Sequence, residues 1–210
     1  MANTFIVINE NNEKQENPKI KGLEVRFLGD NSSVILHAPL PTFLNCIISM
    51  GDDAIFEIES SPYKVKNLVV SRMKNKCCVK IGKNFSCESL EIPMHGETNC
   101  KVIIGDDCMF SHGISIYTSD FHGIYDLNTM KPINYGGDII IGNHVWLGAN
   151  ITIMKKSVIC DNCVVGTQSV IAKRFDKSNC IIAGVPAKII KEGINWCRDN
   201  CQYLEKRGIL

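Results

Sequence analysis

Branched aliphatic residues recur at every sixth position in the C-terminal half of the chain. The first positions of six consecutive hexads are Ile141, Leu147, Ile153, Ile159, Val165 and Ile171. Most second positions are small, and most fifth positions are small or β-branched. Because this period matches neither the roughly 3.6-residue turn of an α-helix nor the alternation of a single strand, it predicts a triangular solenoid. Each hexad would form a short strand and a turn, with its first residue stacked inside the coil on the equivalent residue one coil away.

A less regular form of the same signature occurs earlier in the chain. An aliphatic residue or Met followed by Gly or Cys begins a tetrad at Leu28, Met50, Ile81, Ile104, Ile141 and Ile159, with spacings of 22, 31, 23, 37 and 18 residues. Taken as one ladder of coils of about 18 residues, the tetrads predict insertions of about 4, 13, 5, 19 and 0 residues. The longest insertion covers about residues 122–140. A loop of this length within a regular array is more often functional than neutral.

The predicted fold is therefore all-β: a parallel β-helix of hexapeptide repeats with one long inserted loop and a short C-terminal helix. We divide the chain into an N-terminal segment (1–22), a β-helix domain (23–187) and a C-terminal tail (188–210). The tail carries an apolar stripe that predicts a helix capping the open end of the solenoid or packing on a neighbour. The stripe consists of Ile189, Ile190, Ile194, Trp196, Cys197, Cys201 and Leu204.

Composition narrows the choice of function. Lys plus Arg number 23 and Asp plus Glu number 22, so the chain lacks the overall basic excess of a nucleic-acid-binding protein, although a local patch stays open. The N-terminus lacks the basic and apolar regions of a signal peptide, and the longest apolar-looking stretch, residues 139–154, is shorter than a membrane span. These features predict a cytoplasmic protein without a membrane span.

The chain contains 11 cysteines, and nothing in the sequence suggests the secretion that would favour disulfides. Cys160 and Cys163 form the only C-x-x-C pair, without a second pair or a nearby His to complete a zinc site. They occupy positions two and five of one hexad. We therefore interpret most cysteines as small, reduced core residues and predict no bound metal.

Several segments together resemble one enzyme family. They are the hexads, Ser119-Asp-Phe-His122, Gly142-Asn-His-Val-Trp146-Leu-Gly148-Ala-Asn150 and Ala183-Gly-Val-Pro-Ala-Lys188. The combination resembles the hexapeptide-repeat acyltransferases, most of all bacterial O-acetyltransferases of capsular polysaccharide or sialic acid. The resemblance implies a left-handed β-helix, acetyl-CoA as the donor, a saccharide acceptor, and a homotrimer with donor sites between subunits.

Acetyl transfer to a hydroxyl requires a general base, and imidazole has a suitable pKa. His122 lies where a coil meets the long insertion, and it matches the catalytic base of the resembling family. Asp120, two residues earlier, would share a face with His122 on a strand and could orient it. The alternative is that His122 caps a backbone carbonyl and that Asp120 is a solvated turn residue.

The resemblance also implies ligand contacts. Trp146 would border the donor site, and Gly148 and Thr167 would lie beside the pantetheine arm. Lys173 and Lys188 could pair with the phosphates of coenzyme A. Alternatively, Trp146 packs under the loop and the lysines are simply solvated.

His112 and His144 are candidate substrate contacts or plain turn residues. Together with His122 they are the only conceivable zinc set, which we consider a poor candidate. Two further functions stay open, namely N-acetylation of a nucleotide-linked amino sugar and a non-catalytic scaffold. A bare scaffold, however, needs neither His122 nor Trp146.

Overall fold

The computed structural model describes residues 2–208, in which short strands predominate. The strands, in chain order, are β1 (Thr4–Ile8), β2 (Lys14–Glu16), β3 (Leu23–Phe27), β4 (Ser33–His37), β5 (Thr42–Leu44), β6 (Cys46–Met50), β7 (Ile55–Ile58), β8 (Lys64–Lys66), β9 (Leu68–Met73), β10 (Cys78–Ile81), β11 (Ser86–Cys87), β12 (Leu90–Pro93), β13 (Lys101–Ile104), β14 (Met109–Phe110), β15 (Ile114–Tyr117), β16 (Ile139–Ile141), β17 (Trp146–Leu147), β18 (Thr152–Met154), β19 (Val158–Ile159), β20 (Val164–Val165), β21 (Val170–Ile171), β22 (Arg174–Phe175), β23 (Cys180–Gly184) and β24 (Ala187–Glu192). One helix follows, α1 (Cys201–Lys206).

The strands form three sheets, the three faces of a triangular prism. Sheet I has nine strands in the order β2-β1-β4-β7-β10-β13-β16-β19-β22, sheet II has eight in the order β24-β23-β20-β17-β14-β11-β8-β5, and sheet III has seven in the order β21-β18-β15-β12-β9-β6-β3. From β4 to β23 the chain visits sheets I, II and III in turn, and the strands within each sheet are parallel. The predicted parallel β-helix is confirmed. We name its edges I–II, II–III and III–I after the sheets that each edge joins.

The predicted inward ladder is confirmed in the C-terminal coils. Ile116, Ile153 and Ile171 lie in register on β15, β18 and β21, and each is buried. All first and fifth positions of the six hexads are buried, so both rows fill the prism. Burying a large aliphatic side chain stabilises the fold by about 1.5–3 kcal/mol.

The ladder predicted for the N-terminal half was partly wrong. Ile81 lies in register with Ile58, and Ile58 with Leu36, all on sheet I. Met50 instead ends a strand of sheet III, and Leu28 follows another and is 65% exposed. The expected insertion of about 13 residues therefore does not exist, because the tetrads at Leu28 and Met50 belong to a different edge.

The I–II edge explains why the tetrads have their residue types. The Asp161 carboxylate Oδ1 accepts a hydrogen bond from the Asn143 backbone N–H (2.7 Å), and Asn143 Oδ1 accepts one from the Asp106 N–H (2.9 Å). Third-position Asp and Asn side chains thus cap the turn of the coil below. A Cβ on Gly142 would lie 2.2 Å from Asp161 Oδ1, so this approach requires glycine. Fourth positions such as His144 adopt left-handed φ, which Asn and Asp tolerate best.

The two ends of the prism differ from the coils between them. In the N-terminal segment, β1 pairs with β4 in parallel and with β2 in an antiparallel hairpin, so residues 4–16 extend sheet I. At the other end, β24 turns back antiparallel to β23. The predicted helical stripe was therefore partly wrong: Ile189 and Ile190 lie on a strand, and the helix covers only Cys201–Lys206. No helix within residues 2–208 is long and apolar enough to span a membrane.

The cysteines are free thiols, as predicted, and seven of them are buried. Desolvation raises the pKa of Cys87 and of Cys108 to about 12, which keeps these thiols protonated near neutral pH. Cys163, at a fifth position, is fully buried, whereas Cys160 is half-buried. Most of the cysteines thus act as small packing residues.

Candidate functional site

The long insertion forms an arm at the III–I edge. It connects β15 to β16 and spans residues 118–138, close to the predicted 122–140. A bridge between Tyr125 and Pro132 closes the arm. At its tip, Asp126 Oδ1 accepts hydrogen bonds from the backbone N–H groups of Asn128 (3.0 Å) and Thr129 (2.7 Å). The arm is therefore ordered by its own hydrogen bonds.

The arm carries large apolar side chains that are more than half exposed. They are Ile124, Tyr125, Leu127, Met130, Ile133 and Tyr135. An apolar surface of this kind on an ordered projection is typical of a segment that contacts another molecule.

His122 lies at the base of the arm, and its side chain is exposed. Its backbone N–H donates to the Asp120 carbonyl (2.8 Å), and its own carbonyl accepts from Asn134 Nδ2 (2.9 Å). The preceding residue, Phe121, has a left-handed φ of 63° and stacks on His95 with ring centroids 4.5 Å apart. The backbone is thus held on both sides of an imidazole that faces solvent.

Asp120 does not lie on a strand, because β15 ends at Tyr117. The premise that Asp120 and His122 share a strand face is therefore wrong. The Asp120 carboxylate instead accepts hydrogen bonds from Lys155 Nζ and from Asn134 Nδ2 (2.9 Å). Lys155 and Asn134 were missed in the sequence because chain spacing gives no signal for contacts 35 and 14 residues away.

His144 belongs to a cluster that fastens the C-terminal tail. Its ring stacks on Trp196 with centroids 4.2 Å apart. Its Nδ1 lies 2.7 Å from Asp107 Oδ2, and its Nε2 lies 2.9 Å from the Trp196 carbonyl. Both partners are acceptors, so both contacts are hydrogen bonds only when the imidazole carries two protons. The predicted role of His144 in substrate binding gains no support, since both ring nitrogens are already engaged.

Arg198 adds a second anchor for the tail. Its Nη1 donates to Ser86 Oγ (2.8 Å) and its Nη2 to the Asn84 carbonyl (2.8 Å), while Nε and Nη2 each lie 3.3 Å from Asp107 Oδ1. Its guanidinium lies over the Tyr63 ring, 4.1 Å from the centroid. Sequence reasoning missed these contacts, which join positions up to 114 residues apart.

Trp146 begins β17 on sheet II, and its side chain is 38% exposed. It borders two surface grooves. One lies over β8, β11 and β14 and is lined by Tyr63, Glu88 and Ser111, and the other lies against the tail and is lined by Trp196 and Leu204. Trp146 therefore does not pack under the arm, and its role as a ligand wall stays a prediction.

The other predicted donor contacts are distributed over the prism. Gly148 and Thr167 stack at the II–III edge, where a Cβ on Gly148 would lie 2.9 Å from the Thr167 backbone nitrogen. Lys173 lies beyond β21 at the III–I edge, with Nζ 5.1 Å from the centroid of the Phe175 ring. Lys188 is exposed on β24, in sheet II. A single chain does not bring these side chains together.

The conceivable zinc set is not assembled either. His112 lies between β14 and β15 at the II–III edge, His144 lies at the I–II edge and His122 at the III–I edge. Three residues at three different edges of the same chain cannot share one ion. Among residues 2–208, one group has suitable ligand spacing, namely His37 and Glu57 on sheet I with Glu59 just after β7. Lys80 Nζ lies 2.7 Å from Glu57 Oε2 and already pairs with that carboxylate.

Comparison with known proteins agrees with this architecture. The family of the bacterial transferase hexapeptide (six repeats) matches residues 138–173. A polysialic acid O-acetyltransferase of Neisseria meningitidis is 38% identical over 176 residues, which is 83% of this chain and 80% of the relative. The crystal structure of NeuO, a polysialic-acid-specific acetyltransferase, superposes with a TM-score of 0.77 at 30% identity, over 95% of this chain and 87% of that one. The polysialic acid O-acetyltransferase OatWY gives a TM-score of 0.61 at 32% identity, over 95% and 92%. The chain therefore belongs to the hexapeptide-repeat O-acetyltransferases, enzymes built on a left-handed parallel β-helix.

Proposed function

We propose that this enzyme moves the acetyl group of acetyl-CoA to a hydroxyl of a sialic-acid-containing bacterial surface polysaccharide. The observation that carries the proposal is the exposed imidazole of His122 on a backbone held at the base of the arm. The acceptor class rests on the relatives, whose names specify polysialic acid. The resemblance in the sequence supports the same donor and acceptor. The cytoplasmic location stays a prediction.

In the proposed reaction, His122 Nε2 removes the proton from the acceptor hydroxyl as its oxygen attacks the thioester carbonyl. The resulting imidazolium protonates the departing thiolate when the carbon–sulfur bond breaks, so the base is regenerated. A backbone N–H near Gly148 or the Trp146 indole would donate to the oxyanion. We propose direct transfer rather than a thioester on the enzyme. Buried thiols such as Cys87 and Cys108 are poor nucleophiles, because burial raises their pKa to about 12.

The proposed site is shared between copies of the chain. His122 lies at the III–I edge, whereas Trp146 faces outward from sheet II, and β16 with the corner after it separates them. Within one chain the two side chains therefore face different directions. A second copy packed against the first would bring its Trp146 toward this His122, and the apolar arm supplies a surface for that contact. A homotrimer satisfies this arrangement with three identical sites.

The remaining predicted residues have roles that depend on this assembly. Gly148 and Thr167 leave room for the pantetheine arm beside the backbone. Lys173 and Lys188 would pair with donor phosphates, and His112 stays a proposed acceptor contact because it is exposed. We keep Asp120 as a supporting residue, with its contacts to Lys155 and Asn134. No metal is part of the proposal.

Removal of the base gives the first test. We expect His122→Ala to lower kcat by about 10²–10⁴-fold, because a positioned base contributes about that factor. Coenzyme A affinity, measured by calorimetry, should stay nearly unchanged, since the imidazole acts on a proton and not on the donor phosphates. Wild-type kcat in this variant would refute the assignment. Loss of coenzyme A binding would make His122 a donor-site residue instead.

Co-expression of two inactive variants tests the shared site. Chains carrying His122→Ala and chains carrying Trp146→Ala should recover about a quarter of wild-type activity when they assemble at random in equal amounts, because that fraction of sites then combines two intact residues. Each variant expressed alone is the control. If the mixed assemblies are as inactive as the single variants, the site is not shared between copies.

A further inference from the structure

A polar cluster holds the base of the arm. Lys155, at the III–I corner of the next coil, donates through Nζ to the Asp120 carboxylate and to the Asn134 backbone carbonyl (2.6 Å). Asn134 Nδ2 donates in turn to Asp120 Oδ2 (2.9 Å) and to the His122 carbonyl (2.9 Å). Asp120 lies near the start of the arm and Asn134 near its end. The cluster therefore joins both ends of the arm to the adjoining coil and contacts the backbone of His122.

We propose that Lys155 is a positioning residue for His122. Acting through Asp120 and Asn134, it fixes the turn that presents the imidazole, and it neutralises the carboxylate of Asp120, two residues before His122. This inference rests on the proposed role of His122 as the base. We call Lys155, Asp120 and Asn134 the clamp, and none of the three needs to touch substrate in this role.

The conformation of the turn shows why a clamp is needed. Residues 118–123 belong to no helix or strand, and Phe121 adopts a left-handed φ that a large side chain rarely takes. The Lys155 side chain is only 17% exposed, so its ammonium group is held by Asp120 and the Asn134 carbonyl and is not free in solvent. Removal of Lys155 breaks the contact that holds Asn134 against the coil. Because Asn134 in turn holds the His122 carbonyl, the backbone around His122 can then relax.

The electrostatic effect of Lys155 on His122 follows from the same contacts. The ammonium of Lys155, and next to it the amide of Asn134, hold the pKa of the Asp120 carboxyl below its ordinary value. The Asp120 carboxylate is thus ionised near neutral pH, and its ion pair with Lys155 has no net charge. Replacement of Lys155 by a neutral residue leaves a carboxylate without its cation two residues from the imidazole. That negative charge stabilises the imidazolium and raises the pKa at which His122 becomes a base.

Other charged groups also face the base of the arm, and they must stay unmutated in every variant that is compared, except in the control. They are Lys156 against Gly137, Glu97 against Gly136, His95 on Phe121, Lys74 on the Gly96 carbonyl, and Asp126 and Lys131 within the arm. Lys156 is the matched control, because it is the neighbour of Lys155, carries the same charge and is exposed.

The test measures His122 directly by NMR titration of histidine Cε1–H resonances, with the His122 signal assigned from its loss in His122→Ala. In Lys155→Met we expect the His122 midpoint to rise by about half a pH unit. This is the effect of one uncompensated negative charge, that of Asp120, acting through water over roughly 6–8 Å. Lys155→Arg should restore the wild-type midpoint, and Lys156→Met should move it by less than half as much.

Kinetics with acetyl-CoA and polysialic acid give the second readout. Lys155→Met should lower kcat about 10–100-fold, the loss typical of a misplaced catalytic group, with the KM for acetyl-CoA within about twofold of wild type. In the double variant Lys155→Met, Asp120→Asn, the midpoint should return to the wild-type value while kcat stays low, because charge balance is restored and the clamp is not.

The outcomes separate the clamp from the base. If Lys155→Met keeps the wild-type midpoint and kcat while His122→Ala is inactive, the clamp is refuted and the base stands. If His122→Ala is active, the base assignment fails, whatever the midpoint in Lys155→Met. If Lys155→Met does not fold, Asp120→Asn carries the test, since it leaves an unpaired Lys155 and should lower the His122 midpoint. An unchanged midpoint there would overturn the proposal.

Discussion

Arg198 offers a quantitative test of how the tail is fixed against sheet II. The change is Arg198→Ala, which removes the guanidinium that reaches Ser86, Asn84 and Asp107 and covers Tyr63. The tail forms one wall of the second groove beside Trp146. Undocking of the tail would therefore alter that groove without touching the hydrophobic core.

The expected size of the effect follows from these contacts. A hydrogen bond to a charged group contributes about 1.5–3 kcal/mol net, and a cation–π contact about 0.5–1 kcal/mol. Freeing the Arg198 side chain returns up to about 2 kcal/mol of conformational entropy. Because the contacts of one side chain are not additive, we expect a net loss of about 2 kcal/mol in tail docking. That corresponds to a rise of about 30-fold in the undocked-to-docked ratio.

Tryptophan fluorescence measures this equilibrium. The chain has two Trp residues, so Trp146→Phe leaves Trp196 as the single reporter. Trp196 is only 9% exposed and stacks on His144. In that background, Arg198→Ala should shift the emission to longer wavelength and increase quenching by acrylamide.

Arg207→Ala is the matched control for this measurement. Arg207 belongs to the same tail, but its guanidinium lies over Tyr203 within the tail itself, 4.6 Å from the ring centroid. Arg207→Ala should therefore leave the emission wavelength and the acrylamide quenching of Trp196 unchanged. If Arg198→Ala gives the same spectrum and quenching as Arg207→Ala, then Arg198 does not fasten the tail and the reasoning from its contacts is wrong.

Two further predictions concern stability. Ile153→Ala should lower the free energy of unfolding by about 2–5 kcal/mol in urea titrations, because it leaves a cavity in a fully buried ladder. Ile140→Ala, at a position 43% exposed on sheet I, should change it by less than about 0.5 kcal/mol, and equal losses would contradict the assignment of the core. The second prediction concerns pH. The pKa of Asp120 in the folded state lies below its ordinary value of 3.8. Its pairing with Lys155 therefore stabilises the fold above about pH 4, and this stabilisation is lost as the pH falls through the lowered pKa. The difference in Tm between wild type and Lys155→Met should thus be fully present at pH 6 and decrease as the pH falls below 3.8, while the part due to the Lys155 hydrogen bond to the Asn134 carbonyl persists. A difference that does not change with pH would show that the ion pair is not its source.

The sequence alone determined the coil. A branched residue at every sixth position, such as Ile141 or Ile153, can be buried in a repeating manner only if the chain turns after each short strand, so the period itself specifies a triangular solenoid. The position of the long insertion follows for the same reason, since any residues beyond the regular period must leave the array. His122 and Trp146 were found because they combine unusual residue types with positions where the pattern is broken.

Only the tertiary structure decided which residues meet across the coils. The register at the edges places Met50 on sheet III and Ile58 on sheet I, a choice that an aliphatic-glycine pair cannot reveal because it occurs at more than one edge. Side-chain partners distant in the chain were equally hidden. Asp120 is bonded to Lys155 and to Asn134, and His144 holds the tail through Trp196. Such contacts depend on how corners of successive coils stack in space, and a one-dimensional period carries no information about the length or direction of the loops between them.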